Sequence, residues 1–108
     1  MSRAVVQGDW CFVSGSVGYD LNGALPDSVA EQARNTFATI KRALTEGGFA
    51  LSDTIRVQYT ISDPSYIHDV LPVIREEFGE ILPAATMVIA GMVKPEMKVE
   101  IEVTAFKG

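Results

Sequence analysis

Two carboxylates and one hydroxyl stand where a hydrolytic site could be assembled. Glu100 and Glu102 alternate with Val99, Ile101 and Val103. In an extended strand both carboxylates then fall on one face. A carboxylate held there can accept a proton from water or orient it, and a pair can divide acid and base roles. The competing reading is structural: Glu100 paired with Arg56 or Lys98, and Glu102 with Arg56. Ser14 follows a hydrophobic stretch and precedes Gly15. No base adjoins it. The single imidazole, His68, is expected at the surface in the first turn of a helix, so nothing supports a Ser–His pair. Cys11 falls inside a strand, where a lone thiol behaves as a small buried hydrophobe with no cation to activate it. One Cys and one His are too few for an internal disulfide or a zinc site.

The elements that must position these groups can be read from periodicity. Residues Val5 to Val17 are rich in β-branched and aromatic side chains and read as one strand. Tyr19-Asp20-Leu21-Asn22-Gly23 reads as a turn, because Asn-Gly tolerates positive φ. Ser28 and Glu31 have capping-box spacing at the head of a helix. Its core face is Val29, Ala33, Thr36, Phe37, Ile40, Ala43 and Leu44, and Gly47-Gly48 ends it. Thr54 to Ile61 alternates, with Ile55, Val57, Tyr59 and Ile61 on one side. Asp63-Pro64-Ser65 opens a second helix with Ile67, Val70, Leu71, Ile74 and Phe78 as its apolar stripe. Pro72 inside it predicts a kink or break. Thr86 to Val93 reads as a strand, and Val99 to Ala105 as a last alternating one.

This order predicts an α+β fold, one sheet with two helices. Two helices cover only one sheet face, yet Trp10 to Val13 and Thr86 to Val93 are apolar on both. Strands of that kind are buried on both faces, so the second face is expected to meet another copy of the chain.

The composition narrows the function. The chain has 108 residues, fit for a single domain over 1–108. Nine Lys and Arg against fourteen Asp and Glu leave a net charge of −5. That balance opposes nucleic acid or an anionic membrane as partner. Asp9 interrupts any leader-like start, and no apolar run is long enough for a membrane helix. The expectation is a soluble, cytoplasmic protein.

An ordered set of short motifs resembles the RidA/YjgF family: Ser14-Gly15, Glu31-Gln32, Gly47-Gly48, Asp63, Phe78-Gly79 before Pro83-Ala84, and the ending from Val99 to Ala105. The resemblance covers nearly the whole chain. It implies a chorismate-mutase-like fold, a homotrimer with small-molecule clefts between subunits, and hydrolysis of enamines or imines without a cofactor. Ser14, Gly15 and Glu100 match the family's site, where Glu100 would position the attacking water. Other positions depart from it. Ala85 stands where the family's Pro-Ala-Arg carries the arginine that holds a substrate carboxylate. Met87 replaces a common Cys, Leu71 replaces an Asn, and the cleft Tyr would fall at Met1. Arg3, two residues from Met1 along a strand, could supply a replacement cation. These changes imply a more apolar pocket and a less charged ligand. Two readings follow: an imine hydrolase of altered specificity, or a trimer that binds a metabolite without turning it over.

Overall fold

Where the sequence reads as one strand over residues 5–17, the chain reverses in the middle. In the computed structural model, which describes residues 2–108, β1 (Ala4–Gln7) and β2 (Trp10–Val17) are antiparallel partners, with Gln7 opposite Trp10. Gly8 turns the corner at φ +58°. Glycine at the first position of a two-residue hairpin gives the twist that paired strands need. The turn shifts the alternation by one residue, since Val6 shares a face with Cys11 and Val5 with Phe12. Ala4, Val5 and Val6 are all apolar, so periodicity alone passed over it.

The remaining elements are α1 (Val29–Glu46), β3 (Thr54–Ile61), α2 (Ile67–Phe78), β4 (Ala84–Ile89) and β5 (Val99–Phe106). The sheet runs β1-β2-β5-β3-β4. Only β3 and β4 are parallel, and α2 supplies the crossover such a pair requires. This is the expected mixed sheet with two helices. The strand expected at Thr86 to Val93 is instead Ala84–Ile89, because register follows β3 from Arg56↔Ala84 to Ile61↔Ile89. Val93 lies beyond it, 90% exposed.

The caps follow the sequence. The Ser28 hydroxyl accepts from Glu31 N–H at 3.2 Å, and Gly48, at φ +85°, takes the left-handed position after α1. Asp63 accepts from both the hydroxyl and the N–H of Ser65. Those bonds hold its carboxyl below the usual range. They form a short 3-10 turn (Pro64–Tyr66) from which α2 starts. The helix runs through Pro72 without a break.

The core lies between helices and sheet. The α1 residues expected to face inward are all buried, with Cys11, Val13, Val57, Tyr59, Ile61, Val99, Ile101, Val103 and Ala105 opposite them. Phe37 meets Phe78 edge-on, ring centres 5.4 Å apart, and ties α1 to α2. On α2, Val73 is also fully buried, so the helix buries a wider face than the expected stripe. The other sheet face is open. Val5, Trp10, Phe12, Phe106 and Val88 stay exposed there, from 38% for Val88 to 51% for Val5. No helix among the described residues is long and apolar enough to cross a membrane.

Two bulges re-phase the sheet. Between Thr54 and Arg56 the register with β5 slips by one residue. Ile55 is thereby turned outward, 43% exposed, and Thr54 takes the buried place, against the expected alternation. The second bulge, in β2, falls at Ser14 and Gly15.

Gln32 is fully buried on α1. Its amide donates to Pro26 O at 2.8 Å and Glu96 O at 3.0 Å, and its carbonyl accepts from Lys98 N–H at 3.0 Å. Replacing Gln32 with Leu leaves three main-chain groups without partners. Each buried unpaired group costs ~1–3 kcal/mol, so the urea midpoint of Gln32→Leu should fall by an amount matching at least ~2 kcal/mol. An unchanged midpoint would show that water takes over all three bonds.

Candidate functional site

The β-bulge in β2 builds one half of the site. Val13 pairs with Val103 and Ser16 with Ile101, so Ser14 and Gly15 together face the single residue Glu102. Such bulges re-aim side chains. Beyond it Ser16, not Val17, points into the core, and Ser16 Oγ donates to Ser14 O at 3.0 Å. The missing side chain at Gly15 has a definite use. A Cβ there would collide with the carboxylate of Glu100, whose Cδ would lie 2.7 Å away. Glu100 is half-buried on β5, its carboxylate seated on Gly15.

The cations expected to neutralise the acidic pair are elsewhere. Lys98 Nζ donates to Asp27 O at 2.7 Å. Arg56 reaches only the Thr86 hydroxyl, at 3.4 Å. Among the described residues the ion pairs are Arg34–Glu76 and Lys41–Glu77, both between the helices. Within one protomer, then, neither Glu100 nor Glu102 is paired with Arg56 or Lys98; a Glu102–Arg56 pair near a subunit axis would join two copies. Glu102 faces Gln58 across the ladder and borders, with Arg56 and Ser14, a polar hollow of about 300 Å³ on the open face.

Ser14 and Arg3 are joined through the main chain. Arg3 O accepts from both Ser14 N–H, at 2.8 Å, and Ser14 Oγ, at 2.9 Å. The hydroxyl proton of Ser14 is thus committed. Arg3 lies in a bend ahead of β1 rather than in a strand. Its side chain borders a cavity of about 590 Å³ shared with Gly15, Tyr19 and Arg42. Met1, the position implied for the cleft tyrosine, lies outside the described residues.

The second half of the site is a groove of about 440 Å³ between α2 and the edge strand β4. Leu71, Ala85 and Met87 all border it, with Tyr59, Ile74, Phe78 and Leu82. The register explains their convergence: Ala85 pairs with Val57 and Met87 with Tyr59, both inward-facing residues of β3. The groove also takes in Arg75, one turn beyond Leu71 on α2. The sequence reading missed Arg75. The signal was there, since position i+4 from a groove residue shares its face.

Within one protomer the two halves do not meet. Glu100 pairs with Thr60 on the open face, whereas Ala85 and Met87 lie on the helix face. Two strand spacings, ~10 Å, and the sheet itself separate them. His68 is exposed, as expected, and Cys11 is fully buried. Among the described residues no group of three or more His, Cys, Asp and Glu side chains is placed to hold a metal ion.

The comparisons with known proteins agree with this fold. The family model described as Endoribonuclease L-PSP matches residues 1–107. A RutC family protein of Pyrococcus horikoshii is 28% identical over 108 residues, 98% of this chain and 86% of the relative. The crystal structure of a Thermotoga maritima candidate endoribonuclease is 31% identical with a TM-score of 0.94, covering 100% of this chain and 87% of that one. A member of the YjgF/YER057c/UK114 family from Mycobacterium tuberculosis is likewise 31% identical, with a TM-score of 0.89 and coverage of 99% and 86%.

Burial pushes the Cys11 thiol up, and Tyr59 likewise. A thiol whose native pKa is raised stabilises the fold fully below its unfolded value of ~8.5, and that contribution disappears as pH climbs through the native value. The urea midpoint should fall between about pH 8 and about pH 10, and fall less in Cys11→Ala. Equal slopes in the two proteins would remove Cys11 from the account.

Proposed function

The chain belongs to the endoribonuclease L-PSP family, the RidA/YjgF group of its sequence motifs, and on that premise we propose that it acts as a homotrimer hydrolysing an enamine or imine in clefts between subunits. The observation that carries this reading is Glu100. It is a half-buried carboxylate seated on the glycine of a β-bulge, with no cation among the described residues to neutralise it. Structural carboxylates at such places are ordinarily paired.

Assembly supports the same reading. The open sheet face keeps Val5, Trp10, Phe12 and Val88 in water, a cost that a second copy would relieve. A neighbour packed there can bring its Glu100 and Gly15 to the α2–β4 groove, joining halves that one protomer holds apart. Ala85, Met87 and Leu71 then line the cleft from one side, Ser14, Gly15 and Glu100 from the other. Arg3, which borders the cavity beside Gly15, belongs to the second side.

The chemistry needs no cofactor. Glu100 accepts a proton as water adds to the imine carbon. It returns that proton to the nitrogen, giving a carbinolamine. It then relays the carbinolamine's hydroxyl proton to the same nitrogen as the C–N bond breaks, so that ammonia leaves and the C–O bond becomes a carbonyl. Each imine consumes one water. An RNA substrate, which the family's description suggests, fits less well. A net charge of −5 gives no general attraction to a polyanion.

Two measurements test this reading. Light scattering should report three times the chain mass, and Val88→Asp should shift it toward the monomer, since the charge would be buried without a partner. Imine turnover, followed as ammonia release, should drop by at least about 10²-fold in Glu100→Gln while ligand binding persists. Unchanged turnover removes Glu100 from catalysis. Binding without turnover in the wild type selects the non-catalytic reading.

A further inference from the structure

The replacement of the family's arginine by Ala85 suggests, on sequence alone, a pocket without charge. The structure restores one from another element. Arg75 borders the α2–β4 groove, and it is the groove's one charged side chain among the described residues. Its helical neighbours at three and four residues are Leu71, Pro72, Phe78 and Gly79, so no carboxylate lies where a helix would pair it. The nearby Glu76 and Glu77 turn to Arg34 and Lys41 on α1. Arg75 thus stands unpaired beside Ile74, Leu71, Leu82 and Met87.

The groove's shape adds a second constraint. A methyl group at Ala85 fills little of the floor, and about 440 Å³ remains open, within the usual range of small-molecule sites. A two-carbon acid would leave most of that apolar wall wet. A branched aliphatic or aromatic body would cover it, gaining about 25 cal/mol for each Å² removed from water.

We infer that the groove binds monocarboxylates with a branched aliphatic or aromatic body, 2-oxo or 2-imino acids of that class, and that Arg75 holds the carboxylate. The planar guanidinium fork suits that group, which it can hold through two parallel hydrogen bonds. This rests on the proposed reading only in naming imino acids as the class; the binding step stands apart from turnover.

The test is a calorimetric titration of the wild type and Arg75→Gln with 4-methyl-2-oxopentanoate, its neutral amide, and pyruvate. The wild type should bind 4-methyl-2-oxopentanoate about tenfold or more tighter than either of the others. Arg75→Gln should lose about tenfold for the acid and nothing for the amide. Arg75 is exposed, so the variant should melt with the wild type. Arg75→Lys, which keeps the charge, should recover part of the acid's affinity. Equal binding of acid and amide by the wild type, no binding of the acid, or an Arg75→Gln variant that binds the acid normally would overturn the inference. Acid binding that needs Arg75, without imine turnover, leaves the inference standing and removes the hydrolase reading. Imine turnover with acid binding indifferent to Arg75 does the reverse.

Discussion

The contact between Gln32 and the chain on either side of it decides where the site's parts sit. One buried amide ties the loop before α1, through Pro26, to the segment entering β5, through Glu96 and Lys98. Gly18 seals the same place from the other direction. A Cβ on it would run into the main chain of Gln32, 2.5 Å from its Cα, and Asn35 donates to Gly18 O at 3.1 Å. The exit of β2 and the entry of β5 are thus held against one turn of helix. Glu100 lies two residues past Lys98, and Gly15 three residues before Gly18. Their mutual seating follows from that clamp rather than from any bond between them.

Where local pattern and burial coincide, the fold was legible in the sequence. The α1 face, β5 and most of β3 follow from alternation or helical spacing alone, and Ser28, Asp63 and Gly48 cap or close as their chemistry requires. The rest depends on pairing, which one strand cannot declare. The Gly8-Asp9 hairpin inverts the alternation, with Ala4 and Val6 on the face that Cys11 and Val13 take after it, but a four-residue β1 with three apolar residues in a row is too short to display the change. The slips at Ile55 and at Ser14-Gly15 are properties of two strands together. The end of β4 is set by where β3 ends. Gln32 reads as a polar residue near a helix start, and only the main-chain groups brought to it from 64 and 66 residues away explain its burial.

For the site, Leu71, Ala85 and Met87 were grouped by the family resemblance, and the structure brings all three to one groove, with the pairing of β4 to β3 fixing the face of the last two. Sequence could not show that Glu100 belongs to the opposite face, nor that Arg75 shares the groove. A carboxylate on one side of a sheet and an apolar groove on the other make sense together only across two chains. That division makes the proposed chemistry a property of the assembly, and it makes the groove's own preference for ligand a property of the single chain.

The free edge of β4 carries a further consequence. Ala84–Ile89 has no charge and no proline, and its outer main-chain groups have no strand beside them. A short, uncharged segment rich in β-branched side chains is a template for indiscriminate pairing whenever it is left uncovered. Pro83 ahead of it and Lys94 behind it act as gatekeepers at its ends only. A newly made chain therefore faces two competing fates at this edge, ordered association or aggregation. The rate at which copies find one another bears on solubility as much as on function.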